Sequence, residues 1–315
     1  MALFLLQRLA VLAATLVVAS LVVFAVMEIL PGDAAETMLG PTATPEAVAA
    51  LSHKLGLDLP LSVRYARWIA GLARGDLGVS AAYGSAIAPL IGASLLVSLP
   101  LAAMAMALAA AIALAAGVYA ADRRGRAGDA AVMGLTQIGL AVPNFWLAIL
   151  MVIVFAVTLR LVPAGGFPGW GDPARAVAAL ILPAIALGVA QAAILTRVTR
   201  SALLEALNED YMRTARAKGL SRRAALWRHA LPNALVPVLT IMGLQFANLI
   251  AGAIVVENVF VLPGLGRLML QSISNRDTLV VEDGVMLIAV LVIGLNFLVD
   301  VACAAIDPRL RQRAA

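Results

Sequence analysis

Few side chains in this 315-residue chain could carry covalent chemistry. There are two histidines, His53 and His229, and one cysteine, Cys303. That set builds neither an intrachain disulfide nor a cysteine metal cluster, and it removes most histidine-based metal and catalytic designs. The only lysines are Lys54 and Lys218. Neither ends a G-x-x-x-x-G-K-[ST] run, so no phosphate-cradling loop for ATP is present. Two kinds of non-covalent chemistry remain. Neutral amides stand in oily surroundings: Gln137, Asn144, Gln191, Gln245 and Asn248, the last two near Gly252. A basic segment also places Arg213, Arg216, Lys218, Arg222, Arg223 and Arg228 within sixteen positions.

The elements that must position these groups are read from composition. The chain is 63% hydrophobic and 13% charged, with a mean hydropathy of +0.98. Soluble domains are about 45–50% apolar, so this is a membrane protein. A crossing helix needs roughly 20 mostly apolar residues. Six segments qualify, at about 9–27, 95–121, 130–159, 177–196, 235–256 and 285–305. The third is long enough to tilt or to project from the bilayer. The first has a longer apolar core than a signal peptide and no clear small-x-small site after it, so it is expected to stay as a span. Of the 23 basic residues, 15 fall at Arg8, in the "DRRGRAGD" loop, in 197–232 and in the tail "DPRLRQRAA". Lys/Arg-rich short loops mark the cytoplasmic side, so both termini are expected inside. The same distribution accounts for the pI of about 10.0. With 5% aromatic residues and no nucleic-acid motif, it excludes DNA or RNA as a partner.

Helical spacing puts Gln245, Asn248 and Gly252 on one face of the fifth span, and Gln137 with Asn144 on one face of the third. Such amides either hydrogen-bond between helices or line a hydrated passage for a polar solute. Glu28, Glu257 and Asp300 lie near span ends, where an interfacial position explains them. In the external loop, Tyr65, Trp68 and Leu72 share a helical face expected to pack on the bundle. Both histidines fall in loops, and the serines of "GVS" and "YGS" lie outside, so no intramembrane nucleophile and base share a depth. No carboxylate sits at a span centre and no internal repeat is visible, which disfavours a secondary transporter.

The stretch "SALLEALNEDYMRTARAK" is rich in good helix formers, and Leu204, Leu207, Tyr211 and Ala215 recur at i, i+3, i+4 spacing. Gly219 is expected to end the helix. Ser221 should cap a second one, "RRAALWRHAL", stopping before Pro232. A basic amphipathic element of this kind lies on anionic lipid or docks in a partner's groove.

From Arg213 onward the segment resembles the EAA loop of permease subunits of ABC importers: Glu-Ala-Ala, three residues, Gly, nine residues, Ile, one residue, Leu-Pro. Gly219, Leu231 and Pro232 fall at that spacing, and Ala215 holds the second alanine position. Arg213 and Thr214 replace the initial Glu-Ala and His229 replaces Ile, departures that match the dipeptide/oligopeptide branch, where "EALNEDYMRTARAKGLS" reads almost as a family consensus. Further resemblance lies in "LPGD", "LGLDLPLSVRYARWIAGLARGDLGVS", "PNFWLAIL", "GLQFANLIAGAIVVENVFVLPGLGR" and "NFLVDVACAAIDPRLR". The family's Arg-Leu-Pro-x-Thr-Leu before the second span is absent, with Ser94 and Leu96 standing for Arg and Pro.

The resemblance implies an all-α integral membrane protein with six transmembrane helices, of the type I ABC importer permease fold. Its expected divisions are a first helix with cytoplasmic leader (1–30), a periplasmic loop with short helices (31–94) and a five-helix permease core (95–315). The core includes a coupling loop at 203–232, seated in an ATP-binding subunit. The coupling residues are Glu205, Asp210, Tyr211, Ala215, Arg216, Ala217, Lys218, Gly219, Leu231 and Pro232, with Leu207, Tyr211 and Ala215 supplying packing. Gln137, Asn144, Gln191, Gln245, Asn248 and Gly252 are the candidate pathway lining. Implied partners are a second homologous permease chain forming a heterodimer, two ABC ATP-binding subunits, a periplasmic or lipid-anchored solute-binding protein and the lipid bilayer. ATP and Mg would be held by the partner subunits, with no cofactor, metal or catalytic residue on this chain. The expected cargo is di- or oligopeptides, with nickel chelate, glutathione or sugar as alternatives within the family.

Overall fold

Apolar runs of this length leave the backbone one stable solution in lipid, the α-helix, because every N–H and C=O is then bonded within its own segment. The computed structural model describes residues 2–29, 35, 39–40 and 43–306. The "LPGD" motif at 30–33 and the basic tail from 307 onward lie outside these residues. Among the described residues, five helices are long and apolar enough to cross a membrane, or six segments if one bent pair is counted as a single span.

Two compact units are built from discontinuous stretches. One comprises residues 9–98 and 263–294. It holds most of α1 (Ala2–Ile29), α2 (Pro45–Leu55) and α3 (Leu61–Arg74). Thr44 starts α2 by accepting the Ala47 N–H on its side chain, satisfying a donor the first turn leaves open. The predicted face of α3 does pack: Tyr65 bonds Ser20 of α1 at 2.8 Å, and its ring meets Phe24 edge-on. Trp68 donates its indole N–H to Asp283 at 2.8 Å. Arg64 pairs with Glu28 at 2.6 Å, both largely buried. The core of this unit joins Ile87 and Ile91 to Leu265, Leu268, Met269 and Val280. In the same unit, Ser80 and the Ala82 N–H both donate to the buried Asp277 carboxylate.

The other unit comprises residues 1–8, 99–262 and 295–315. It contains most of α4 (Ile87–Asp122), then α5 (Ala127–Ala141), α6 (Asn144–Met151) with a π-helical continuation over Val152–Thr158, and α7 (Pro173–Asn208). After α7 come α8 (Asp210–Ala217), α9 (Arg222–Ala225), a π-helical turn over Leu226–Ala230, and α10 (Leu231–Val259). Further along the chain, α11 (Leu265–Ser274) and most of α12 (Thr278–Ile306) belong to the first unit, and only the end of α12 to this one. Helix α7 is central, packing against α5, α6 and α10. Small residues let backbones approach: a β-carbon on Gly188 would fall 2.9 Å from the Ala105 carbonyl, and one on Gly117 2.7 Å from Thr199. Where lipid supplies no hydrophobic drive between helices, such close contact is a main source of association.

Two expectations change here. The third apolar run is not one straight helix: α5 and the limb over Asn144–Thr158 meet at 92°. Val142 is extended, at φ −83° and ψ 118°, ahead of Pro143. Proline removes a donor and pushes its predecessor out of the α region, which breaks the run there. Gln137 and Asn144 therefore sit on different limbs and share no face. Nor does the helix after Ser221 stop before Pro232; it runs on through the π-helical turn into α10, with Pro232 in that helix's first turn. The widened turn ahead of it shifts the hydrogen-bond register, which accommodates a residue that has no N–H and would otherwise clash with the carbonyl four residues back. Near the span ends, Glu257 is fully buried in the protein and Asp300 pairs with Arg8 at 2.8 Å.

Candidate functional site

The basic segment folds on an internal core. Val118 and Ala121 of α4, Leu203 and Ala206 of α7, Met212 of α8, then Ala225, Leu226, Ala230 and Ala234 form one buried cluster. Leu204, Leu207, Leu220 and Leu231 pack partly against it. The predicted apolar face is thus real at Leu204, Leu207 and Ala215, while Met212 rather than Tyr211 turns inward. Ala215 is buried in the chain itself, so its packing is internal and not offered to a partner, whereas Tyr211 is 39% exposed.

The local conformations follow from residue type. Helix α7 runs without interruption from the fourth apolar segment to Asn208, and Glu209 then turns extended. Gly219 has φ +90° with nothing near its missing β-carbon, a left-handed turn that glycine adopts at no steric cost. Ser221 caps α9 by accepting the Ala224 N–H at 3.2 Å. With the inner face buried, the outer one carries Glu205, Asp210, Arg216, Ala217, Lys218, Gly219 and Pro232, all exposed. Asp210 bonds Arg213 at 3.1 Å across one turn. Burial holds the Tyr211 hydroxyl above its ordinary pKa, opposed by hydrogen bonding from Asn233, so it stays a neutral donor at physiological pH. Sequence reasoning missed Trp227, which is 51% exposed on the same segment; its signal is a large aromatic within a basic surface stretch.

Charged ties hold this segment to the loop ending α4. Arg222 donates to the Asp122 carbonyl at 2.9 Å and approaches its carboxylate at 3.4 Å. Arg200 grips Asp129 through two hydrogen bonds, 2.6 and 2.7 Å. Beside Arg222 lies a cleft of about 200 Å³, lined by Arg124, Leu204, Leu207, Met212, Arg216 and Arg222 among others.

The amides divide. Gln245 donates to Gln191 at 2.8 Å and accepts from Asn248 at 2.9 Å, making a ladder between α7 and α10. Gln191 and Gln245 are buried, Asn248 is exposed at the ladder's end and Gly252 is half-buried. Gln137 is exposed and reaches Arg197 at 3.4 Å, while Asn144 is half-buried on the other limb of the bend. The structure thus joins three of the six as one hydrogen-bonded group and leaves Gln137 and Asn144 apart from it. Among the described residues no cluster of His, Cys, Asp and Glu suits a metal ion.

Comparison with known proteins gives a consistent result. Residues 113–312 match the family described as binding-protein-dependent transport system inner membrane component, and residues 1–114 match its N-terminal counterpart. A di/tripeptide transport system permease protein of Pseudomonas aeruginosa (strain UCBPP-PA14) is 38% identical over 332 residues, covering 98% of this chain and 99% of its own. A glutathione transport system permease protein of Salmonella paratyphi A (strain ATCC 9150 / SARB42) is 39% identical over 310 residues, covering 98% and 99%. Among solved structures, a chain of the MetNI methionine ABC transporter in an inward-facing conformation superposes with a TM-score of 0.56. It is 20% identical and covers 69% of this chain and 96% of its own, a likeness of fold.

Proposed function

The chain belongs to the family of binding-protein-dependent transport system inner membrane components, and from that premise we propose that it is the permease subunit of an ATP-driven importer of short peptides. It is a multi-pass protein of the bacterial inner membrane. The observation that carries the mechanism is the basic segment's construction. Its inner face is locked to the chain's own core, while its outer face presents cations with Tyr211 and Trp227 exposed among them. That is the make-up of a docking surface, aromatic anchors with charge around them.

In this reading residues 203–232 seat on a separate ATP-binding chain, which supplies nucleotide and Mg. Helix α7 enters the segment from the fourth apolar run and the α9–α10 helix leaves it into the fifth, so a rigid-body push on the segment moves both spans. Two such permease chains, the second a homologue, would open alternately to either side as their ATPases close. A solute-binding protein outside would deliver the cargo. Neutral amides such as Asn248 suit a peptide, offering hydrogen bonds without fixing a charge.

The substrate class follows the relatives named for peptide transport, and the relative named for glutathione supports the second reading, a γ-linked tripeptide. The test is purification with the ATPase chains and the solute-binding protein, reconstitution, and uptake of a labelled dipeptide. ATP-dependent accumulation that unlabelled dipeptide abolishes supports the proposal, and preferential abolition by glutathione moves it to the second reading. An isolated chain that moves solute down an ion gradient without an ATPase would overturn both. Trp227→Ala should lower the amount of ATPase recovered about ten-fold or more while leaving insertion intact, read by quantitative co-purification.

A further inference from the structure

The loop between α4 and α5 is short, charged and exposed along most of its length, yet it is fastened at both ends to the basic segment's own framework. At its start, Asp122 receives Arg222 through both its carbonyl, at 2.9 Å, and its carboxylate, at 3.4 Å. At its end, Asp129 receives Arg200 through two bonds of 2.6 and 2.7 Å. The Asp129 side chain is 7% exposed and that of Arg200 is 23% exposed. A paired, bidentate contact of this kind fixes orientation as well as distance.

The loop between these anchors is stiff. Asp129 also accepts the Gly125 N–H at 3.0 Å, and the Arg126 N–H bonds the Arg123 carbonyl at 2.9 Å. Arg123 lies over the Tyr119 ring at 4.4 Å and bonds its hydroxyl at 2.7 Å. Gly128 is held against that same hydroxyl, 2.9 Å from where a β-carbon would stand. The loop therefore has little slack to absorb a displacement.

We propose that residues 122–129 form a second mechanical link, in which Asp122–Arg222 and Asp129–Arg200 carry movement of the basic segment to α4 and α5. This rests on the reading of 203–232 as the ATPase-docking element. Van der Waals packing already sets α4 and α5 beside the segment and α7, but it lets surfaces slide, whereas these ion pairs fix orientation. With them, the second run and the first limb of the broken third move as well. Arg200 and Asp129 are positioning residues in this scheme, touching neither cargo nor nucleotide.

The experiment uses the complete transporter in proteoliposomes, carrying Cys303→Ser and spin labels at the exposed positions Arg126 and Asn208. With the tie intact, the distance between labels should stay narrow and unchanged with and without ATP. In Asp129→Asn the distribution should broaden, and uptake per ATP should fall about ten-fold, within the usual range of coupling between sites. ATP hydrolysis should stay within about two-fold. The exchanged pair Asp129→Arg with Arg200→Asp should recover narrow distances and part of the uptake. Unchanged uptake per ATP with narrow distances in Asp129→Asn would overturn the proposal. So would a parallel loss of hydrolysis, uptake and assembled complex with no recovery in the exchanged pair, the mark of a purely structural contact. If the parent complex shows no ATP-driven uptake, the functional reading fails and the distance measurement alone judges the tie, broadening in Asp129→Asn upholding it and a narrow distribution refuting it.

Discussion

At Gln245 one amide group is used at both ends, its N–H₂ donating to Gln191 and its oxygen accepting from Asn248. Truncating one member leaves the other's polar atoms buried without a partner, a loss of about 1–3 kcal/mol, whereas replacing both by apolar groups of similar shape removes the unpaired atoms as well. Gln245→Ala should therefore lower the thermal midpoint of the detergent-purified protein more than the Gln191→Leu, Gln245→Leu double variant does. Asn248→Ala, at the exposed end, should change stability least, and any effect it has should be on uptake. The sequence identified these residues as amides in oily surroundings, and α-helical spacing brought Gln245 and Asn248 together. It could not show that Gln191, 54 positions earlier, is the partner, because that pairing depends on how two helices are rotated against each other. The Arg200–Asp129 pair, 71 positions apart, was hidden for the same reason. Arg200 counted in the sequence as one more cytoplasmic cation.

Elements with local causes were the most legible. Gly219 at φ +90° and the Ser221 cap are set by the residues themselves. Proline cannot take a positive φ, so Gly219→Pro should abolish ATP-driven uptake while membrane insertion and expression persist. Gly219→Asn, which tolerates the left-handed region, should retain most uptake. Equal uptake by the proline variant would show that the turn has no role in coupling. Two prolines were harder to read. Pro143 lies inside an apolar run long enough to invite one span, yet it terminates α5 with a 92° change of direction. Pro232 reads as a helix stop, yet the chain stays helical through it. Residue type is the same in both places. What differs is position: Pro232 sits in a first turn after a widened one, and Pro143 follows a valine held extended. The burial of Ala215 was not legible either, since a small residue at helical spacing suits an inner face and an outer one equally.

For the whole molecule, basic residues bracket the spans in a pattern from which we propose that residues 122–129 and 203–232 are cytoplasmic and the α2–α3 region outside. In a Cys303→Ser background, single cysteines at exposed Arg126 and Lys218 should react with a membrane-impermeant maleimide only in inside-out vesicles. One at exposed Val79 should react in intact spheroplasts; the reverse pattern would invert the topology. The large apolar surface left on α1, where Val11, Val18, Val22 and Ile29 are more than half exposed, fits a helix whose solvent is lipid or another membrane chain. One further property follows from the widened turn over Leu226–Ala230. Buried Leu226, Ala230 and Ala234 recur every four residues there, a beat that an ordinary helix of 3.6 residues per turn would let drift. The direction in which Arg222, Arg223 and Trp227 face is therefore set by a count of residues as much as by their identity. Removing a single position from this turn would rotate the proposed docking surface by about 100° about the helix axis, deleting no cation and breaking no span, yet turning it away from any partner that had been fitted to it.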